Sequence, residues 1–268
     1  MRFARYLLAV TSIVSSQLLW AAPLQLCVDK IPTPPFVYSE KINGAGKLRG
    51  YSLDLAKQLL SQAGVAYEVK SFAKTELEKR LYSPSASAGC DIVLDVRKGS
   101  EQEKYVHLSS PWYQLNIDAV YSWERYMTGL GVKTVNDFSQ YQVCGLEGYD
   151  YGNLNKHIKI KYLPRMKDIV FDLKQKTCDV FLAEAAVMKY GQRANLFQMP
   201  PVGCVRLDGT VRTYHLGVAK HVVGGDAILV KLQQQFSKLT GTDSVMTKLA
   251  EEYDIGAMSC QTRLHVGS

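Results

Sequence analysis

The sequence lacks the residue patterns of the common catalytic and metal-binding sites. It has no Walker glycine loop and no nucleophile-base motif, and its few histidines show no close metal-ligand spacing. The five histidines are His107, His157, His215, His221 and His265. Lone histidines of this kind are mostly surface or core residues. We therefore expect no metal, no cofactor, no catalytic residue and no enzymatic activity.

Blocks of like charge are also missing. The formal net charge is +7, but basic residues such as Lys156, Lys159 and Lys161 alternate with apolar ones. This spacing is typical of solvated faces and disfavours a nucleic-acid partner. With 47% hydrophobic and 21% charged residues over 268 positions, the chain is neither disordered nor fibrous. It is long enough for two lobes of roughly 100 to 130 residues each.

The longest apolar run lies close to the first residue. Two arginines precede a mostly apolar stretch from Tyr6 to Trp20, and two alanines follow it. This order is typical of a secretory signal peptide. The apolar run is shorter than a transmembrane helix, which needs about 20 residues. We predict a signal peptide over residues 1–22 and a mature chain in the periplasm. An uncleaved membrane anchor is the alternative.

Six cysteines in an exported chain indicate disulfides, because an oxidising compartment lets them form. Fifteen connectivities are possible for six cysteines. A repeated phrase narrows them: AGCDIVLDV at 88–96 returns in altered form as KTCDVFLAE at 176–184. Each phrase has a Cys-Asp pair followed by a mostly apolar run.

Each phrase ends a series of alternating strands and helices. The first series begins with a predicted strand at 23–30 and a helix that Ser52 caps and Gly64 ends. A strand at 65–72, a helix at 74–82 and the strand of the first phrase follow. The second series repeats this order with a strand at 141–147, a short helix, a strand at 158–163, a helix at 166–176 and the strand of the second phrase. The chain therefore contains two β-α-β-α-β units. Two later amphipathic helices, at 224–241 and 243–256, are expected to cover the first unit.

The two units suggest how the cysteines pair. Doubly wound sheets commonly place the third strand beside the first, and neighbouring strands lie about 4.8 Å apart, within the reach of a disulfide. We therefore predict Cys27 with Cys90 and Cys144 with Cys178. A third bridge would join the remaining pair, Cys204 and Cys260. The alternative for each pair is free cysteines that pack as small hydrophobic residues.

Several motifs in order resemble one known family. They are the Pro-Pro-aromatic loop at 34–36, GYSLDLAKQLLSQAG at 50–64, CDIVLD at 90–95, EQEKYVHLSSPWY at 101–113, VCGLEGYDYG at 143–152 and LGVAK at 216–220. Each is weak alone, but their order and spacing resemble the bacterial family 3 extracellular solute-binding proteins. These are similar to amino-acid-binding components of ABC transporters. The resemblance extends from about residue 23 to residue 256.

The resemblance implies a two-lobed α/β fold of the type II periplasmic-binding-protein kind. Each lobe would hold a doubly wound, mainly parallel sheet, and two crossing strands near 114–119 and 207–214 would join the lobes. Lobe I would comprise 23–116 with 211–268, and lobe II 117–210. A small polar ligand, an amino acid or a related amine or organic acid, would bind between the lobes of a monomer. The partner would be an ABC transporter permease in the inner membrane.

Ligands in open α/β sheets lie beyond the carboxyl ends of strands. This places ligand-binding candidates in the loop with Phe36, at Asp95 and Arg97, at Tyr149 and Tyr151, and at Glu184. Phe36 is equally consistent with a core residue under its loop. Backbone N–H groups over 148–151, if they open a helix, would accept an anion, although Asp150 is more easily explained as a cap of that helix.

Two departures from the family pattern bear on the ligand. The resemblance implies an arginine for the ligand carboxylate where Gln102 stands, while Arg97 lies five residues earlier. Arg97 would reach that carboxylate as a bidentate partner, or else pair with Asp95 or Glu101. Thr33 and Pro34 occupy the place of an expected aromatic residue. An ordinary α-amino acid is therefore doubtful, and Asp95 with Glu184 favours a cationic ligand.

Two other functions stay open. A few relatives with this scaffold are dehydratases, but the candidate site has no evident acid-base pair, and a fold does not determine a function. Other chains of this general type associate with periplasmic redox enzymes, and their Cys-Asp strand starts are similar to Gly89-Cys90-Asp91. A partner or sensing protein that docks to a redox enzyme or receptor is therefore the second hypothesis.

Overall fold

The computed structural model describes residues 22–30, 33–42, 45–82, 89–149, 151–240, 244–256, 260 and 262–266. Nearly all of the predicted signal peptide, 1–22, lies outside these residues. Within the described part of the chain, no helix combines the length and the apolar character that a membrane span needs.

The first β-α-β-α-β unit forms as the alternation of apolar and polar residues predicts, with a hairpin added after its first strand. Its elements are β1 Leu24–Asp29, β2 Tyr38–Ile42, β3 Ala45–Arg49, α1 Tyr51–Gln62, β4 Tyr67–Phe72, α2 Lys74–Tyr82 and β5 Ile92–Arg97. Three short strands follow, β6 Val106–Leu108, β7 Tyr113–Leu115 and β8 Ile117–Ser122. The β2–β3 hairpin was not predicted.

The second unit and the tail complete the chain. The unit comprises β9 Val143–Leu146, α3 Leu154–His157, β10 Ile160–Leu163, α4 Met166–Lys174, β11 Val180–Glu184 and α5 Ala185–Arg193. The later elements are β12 Val202–Asp208, β13 Arg212–Ala219, α6 Gly225–Leu239, α7 Val245–Glu252 and β14 Thr262–His265. Helix α5, which follows directly on the strand of the second phrase, was not predicted.

The strands form two six-stranded sheets with related orders. The first sheet runs β4-β1-β5-β13-β6, with β7 also paired to β13, and the second runs β10-β9-β11-β8-β12-β14. In each, the first strand of the unit lies between and parallel to the other two, and an antiparallel strand comes next. Mixed α/β sheets with this order are the two-lobed architecture that the resemblance implied.

All three predicted disulfides are present. Cys27 and Cys90 lie at a Cα–Cα distance of 5.7 Å, and Cys144 and Cys178 at 5.9 Å. In both units the third strand does pair with the first, as the prediction required. The third bridge joins Cys204 and Cys260.

The chain passes from one sheet to the other twice. It leaves the first sheet between β7 and β8 and returns between β12 and β13. Thr210, in the second crossing, ties the two passages together: its Oγ1 accepts a hydrogen bond from Ile117 N at 3.2 Å and donates to Leu207 O at 2.6 Å. Beside them, a buried ion pair joins Asp118 on β8 to Arg206 on β12.

The tail corrects one part of the predicted lobe division. Helices α6 and α7 pack on α1 as expected, with Leu232, Leu239 and Tyr253 in the core of the first sheet. Strand β14, however, pairs in parallel with β12 of the second sheet. Placing all of 211–268 in lobe I was therefore wrong for this last strand. The reason is the disulfide at Cys260, which ties the tail to Cys204 on β12.

Candidate ligand-binding site

A cleft of about 370 Å³ lies between the two sheets. Its walls come from both: Asp95, Tyr113 and Tyr214 belong to strands of the first sheet, and Leu146, Leu182 and Glu184 to strands of the second. The two carboxylates stand at or near the carboxyl ends of β5 and β11, where ligands of open α/β sheets bind. Asp95 and Glu184, both named as candidates from their strand positions, line this cleft.

A bulge in β5 shapes the position of Asp95. In the β5–β13 pairing, Gly217 lies opposite Val93 and His215 lies opposite Val96. The two β13 positions are two residues apart, but their partners on β5 are three residues apart. The extra residue is accommodated with Asp95 in the left-handed conformation, at φ 57°, which Asp tolerates better than most residues. Bulges re-aim side chains beside functional sites, and this one brings Asp95 to the cleft.

Buried hydroxyls hold Asp95 in place. Tyr113 donates its hydroxyl hydrogen to Asp95 Oδ1 at 2.8 Å, and the fully buried Ser52 donates to the Tyr113 hydroxyl at 3.2 Å. Burial raises the pKa of Asp95 to about 6; the hydrogen bonds of Ser52 and Tyr113 lower it and the charge of Glu184 raises it. Ser52 was predicted as the cap of α1, which was wrong, because Gly50 occupies that position. No sequence signal marked Ser52 as a support for Asp95.

Three aromatic rings form one wall of the cleft. Phe36 stacks on Tyr113 at a centroid distance of 5.2 Å, and Tyr113 stacks on Tyr214 at 4.7 Å. Phe36 is 7% exposed and lines the cleft, so the wall and core interpretations both hold for it. Gly50 makes this packing possible, because a Cβ there would overlap the Phe36 carbonyl oxygen.

Glu184 stands opposite this wall as the residue preceding α5. It is 4% exposed, and it accepts hydrogen bonds at Oε1 from Tyr149 at 2.5 Å and from Tyr214 at 3.1 Å. Burial raises the pKa of Glu184, against the opposing effects of the Tyr149 bond and of the charge of Arg212. Because Tyr214 belongs to the first sheet and Glu184 to the second, their hydrogen bond spans the cleft.

The two predicted cleft tyrosines differ in what they offer a ligand. Tyr149 and Tyr151 both line the cleft, with ring centroids 4.8 Å apart. The hydroxyl of Tyr151 accepts from Leu146 N and donates to Leu182 O, which uses it within the protein. Tyr149 lies under the guanidinium of Arg212, 4.7 Å from its ring centroid. Tyr151 thus offers only its ring.

Arg97, the candidate for a ligand carboxylate, is not one of the cleft-lining residues. It lies opposite Tyr214 in the β5–β13 pairing, and its charge lowers the pKa of Glu184, after the larger effect of burial. No lysine, arginine or histidine is found among the described residues that line the cleft.

The anion site expected over 148–151 does not form in the predicted way. The helix after this segment begins only at Leu154 and is four residues long, because Gly148 and Gly152 both have positive φ and turn the chain first. The backbone N–H groups of Gly148, Tyr149 and Tyr151 therefore do not open a helix. The expectation for Asp150 falls outside the described residues.

Part of the cleft lining is apolar and was not predicted from the sequence. It comprises Met166, Val187, Tyr190, Gly191, Leu196 and Phe197. A Cβ at Gly191 would overlap the ring of Phe197, so glycine leaves the space that this ring occupies. Most of these residues belong to α5 or to the segment after it, and neither was predicted.

Several solved structures have a fold similar to that of this chain. An amino acid ABC transporter substrate-binding protein of Streptococcus pneumoniae bound to L-arginine matches with a TM-score of 0.60 and 20% identity, covering 86% of this chain and 94% of that one. An ancestral cationic amino acid solute-binding protein matches with a TM-score of 0.66 and 18% identity over 86% of this chain and 95% of the other. The chain has the fold of the amino-acid solute-binding proteins.

A ligand-binding core shares this fold as well. The GluR0 ligand-binding core in complex with L-glutamate matches with a TM-score of 0.59 and 15% identity, covering 87% of this chain and 99% of that one. No family model matches the sequence, and neither does any curated protein. At these identities the solute-binding-protein fold is established, and the ligand has to be inferred from the cleft.

Proposed function

We propose that this protein is a periplasmic solute-binding protein that captures a small polar ligand between its two lobes for an ABC transporter. The observation that carries this proposal is the cleft between the sheets, to which each sheet contributes one carboxylate, Asp95 or Glu184. A ligand that contacts both would hold the lobes together, which is how hinge closure around a ligand works in periplasmic binding proteins.

The residues that we assign to ligand contact are those predicted in the sequence, with distinct roles. Asp95 and Glu184 would accept hydrogen bonds from the ligand, and Phe36, Tyr149 and Tyr151 would supply ring faces. Arg97 would act on the ligand through the electrostatic field at Glu184. We propose that lobe I comprises residues 23–116 with 211–256. Lobe II would comprise residues 117–210 with strand β14.

The cysteines and the first residues support a periplasmic location. Three disulfides fit an oxidising compartment, and the predicted signal peptide over 1–22 would deliver the chain to the periplasm. There, a monomer would present both lobes to a permease in the inner membrane. Neighbours in the fold that are named as ABC transporter substrate-binding proteins support this partner.

The proposal is tested by ligand-dependent stability. The mature chain, unfolded and refolded with its disulfides intact to remove bound ligand, is melted against amino acids, amines and organic acids. A ligand at a hundred times its Kd adds about 2.7 kcal/mol, a shift of roughly 2 to 4 °C per kcal/mol. We expect one chemical class to raise the Tm, and small-angle X-ray scattering to show a smaller radius of gyration with that ligand.

A folded protein that no compound stabilises would contradict capture of a small ligand. That outcome would favour the second hypothesis, a periplasmic partner or sensing protein that docks to a redox enzyme or receptor. Turnover of a compound that binds would instead favour an enzyme on this scaffold.

A further inference from the structure

We infer that the ligand is an organic cation with an apolar tail and without a carboxylate, such as an arylalkylamine, rather than an α-amino acid. The inference rests on the proposed function, because it names the ligand class of the same cleft.

The charges of the cleft lining are the first support. Asp95 and Glu184 are both acidic, and the described lining residues include no lysine, arginine or histidine. A buried carboxylate of the ligand would therefore lie near two carboxylates, which is costly in a site removed from water. The two guanidinium groups whose charges act on Glu184, those of Arg97 and Arg212, do not line the cleft. An ammonium group has the opposite balance.

The hydrogen-bond arrangement of Glu184 is the second support. Both tyrosine hydroxyls donate to the same oxygen, Oε1, and neither uses Oε2. A carboxylate accepts hydrogen bonds at both oxygens, so Oε2 retains acceptor capacity for an N–H group. Tyr149 and Tyr214 fix the orientation of this carboxylate before any ligand arrives, which reduces the entropy lost on binding.

The rings around the carboxylates are the third support. Phe36, Tyr113 and Tyr214 form a stacked wall, with Tyr149 beside Glu184. Faces of aromatic rings attract ammonium groups, by about 0.5 to 2 kcal/mol per favourable contact. Arg212 already makes this kind of contact with the Tyr149 ring.

The apolar part of the cleft lining selects the tail. It includes Met166, Val187, Leu196 and Phe197, and contact with a hydrocarbon or aromatic group would stabilise the complex by about 25 cal/mol for each Å² of apolar surface buried. The guanidinium or second ammonium of a dicationic amino acid would find no carboxylate among these four residues. A single charged end and a single apolar end fit the cleft best.

Three compounds that share a phenyl ring separate the alternatives. They are 2-phenylethylamine, which is a cation, phenylalanine, which adds a carboxylate, and 3-phenylpropionate, which has the carboxylate alone. Calorimetric titration of the ligand-free mature chain is expected to give the lowest Kd for 2-phenylethylamine, at least about tenfold below phenylalanine, a gap of about 1.4 kcal/mol. No binding is expected for 3-phenylpropionate.

A matched pair of variants locates the effect. Glu184→Gln keeps the hydrogen-bond acceptor and removes the charge, and is expected to raise the Kd of 2-phenylethylamine at least about tenfold. Glu251→Gln, at an exposed position on α7, makes the same chemical change and is expected to leave the Kd unchanged. The titrations of the unaltered chain decide the matter even if Glu184→Gln does not fold.

Two outcomes overturn the inference in distinguishable ways. Tighter binding of phenylalanine or 3-phenylpropionate than of the amine contradicts the ligand class and leaves ligand capture standing, as does a panel in which only other carboxylate compounds stabilise the chain. Absence of binding by every compound of the full panel contradicts ligand capture itself, and the inference with it.

Discussion

The two β-α-β-α-β units place equivalent strands in equivalent order, β4-β1-β5 in one and β10-β9-β11 in the other, yet they deliver their carboxylates differently. Asp95 is the fifth residue after Cys90, and Glu184 is the sixth after Cys178. In a regular strand a shift by one residue turns a side chain to the opposite face. The bulge in β5 and the left-handed conformation of Asp95 compensate for this difference.

The environments of the two acids differ as well. Glu184 is 4% exposed and accepts hydrogen bonds from the hydroxyls of Tyr149, in the loop after β9, and of Tyr214 in the first sheet. Asp95 is partly exposed and is held by Tyr113 of its own sheet. The repeated topology determines at which strand end each carboxylate lies. The local strand pairing and the neighbouring hydroxyls determine its orientation and its exposure. Each of the following experiments perturbs one unit and uses the other as its reference.

The largest effect is expected from the disulfides. Joint Cys27→Ala and Cys90→Ala substitution opens a loop with a sequence separation of 63, and Cys144→Ala with Cys178→Ala one of 34. Loop-closure entropy gives a loss of about 4 kcal/mol in the free energy of unfolding for either pair. Urea denaturation measures both. If removing one bridge lowers the free energy of unfolding by less than about 1 kcal/mol while removing the other lowers it as expected, the two units do not depend equally on their bridges.

Glycines that allow close packing come next. A Cβ at Gly50 would meet backbone atoms of Phe36, whereas at Gly145 it would meet side-chain atoms of Ile160 and Tyr151 at 2.8 Å. Since backbone cannot move aside, Gly50→Ala should cost about 3 kcal/mol or more and Gly145→Ala about 1 to 2 kcal/mol. Thermal unfolding ranks the two variants.

A third glycine is the control for backbone strain alone. Gly64 has a φ of 66° and no atom within 4 Å of an added Cβ, so Gly64→Ala should cost only about 1 kcal/mol. Equal costs for Gly50→Ala and Gly64→Ala would mean that contact with Phe36 does not matter.

The pH dependence of stability distinguishes Asp95 from ordinary surface acids. Its pKa is raised from 3.8 to about 6 by burial, so the folded state holds the proton more tightly than the unfolded state. The contribution of protonated Asp95 to the free energy of unfolding is therefore fully present below pH 3.8. It is lost as the pH rises to about 6, and the loss is at most about 3 kcal/mol. Asp95→Asn cannot ionise, and its stability relative to the unaltered chain should increase from pH 4 to pH 8.

Chemical denaturation of both chains at several pH values measures this difference. The stability of Glu184→Gln relative to the unaltered chain is also expected to increase with pH, because burial raises the pKa of Glu184. A difference between Asp95→Asn and the unaltered chain that does not vary with pH would contradict the assigned environment of Asp95.

The sequence predicted those features that depend on neighbouring residues or on general topology. The Cys-Asp phrases revealed the third strands, and parallel pairing of first and third strands gave the partners of Cys27 and Cys144. Glu184 was found because it ends a strand. Ser52 and the bulge at Asp95 were not predictable, since both depend on contacts with Tyr113 and β13, far along the chain. Strand β14 was missed for a different reason, because the predicted bridge between Cys204 and Cys260 was not used to place the tail beside β12.

The central claim, that one ligand contacts a carboxylate from each sheet, is tested most directly by calorimetric titration of the most strongly stabilising compound into the unaltered chain, Asp95→Asn and Glu184→Gln. We predict that each substitution raises the Kd at least about tenfold, a loss of about 1.4 kcal/mol of binding free energy, while both variants stay folded. An unchanged Kd in both folded variants would contradict the claim and place the ligand outside this cleft.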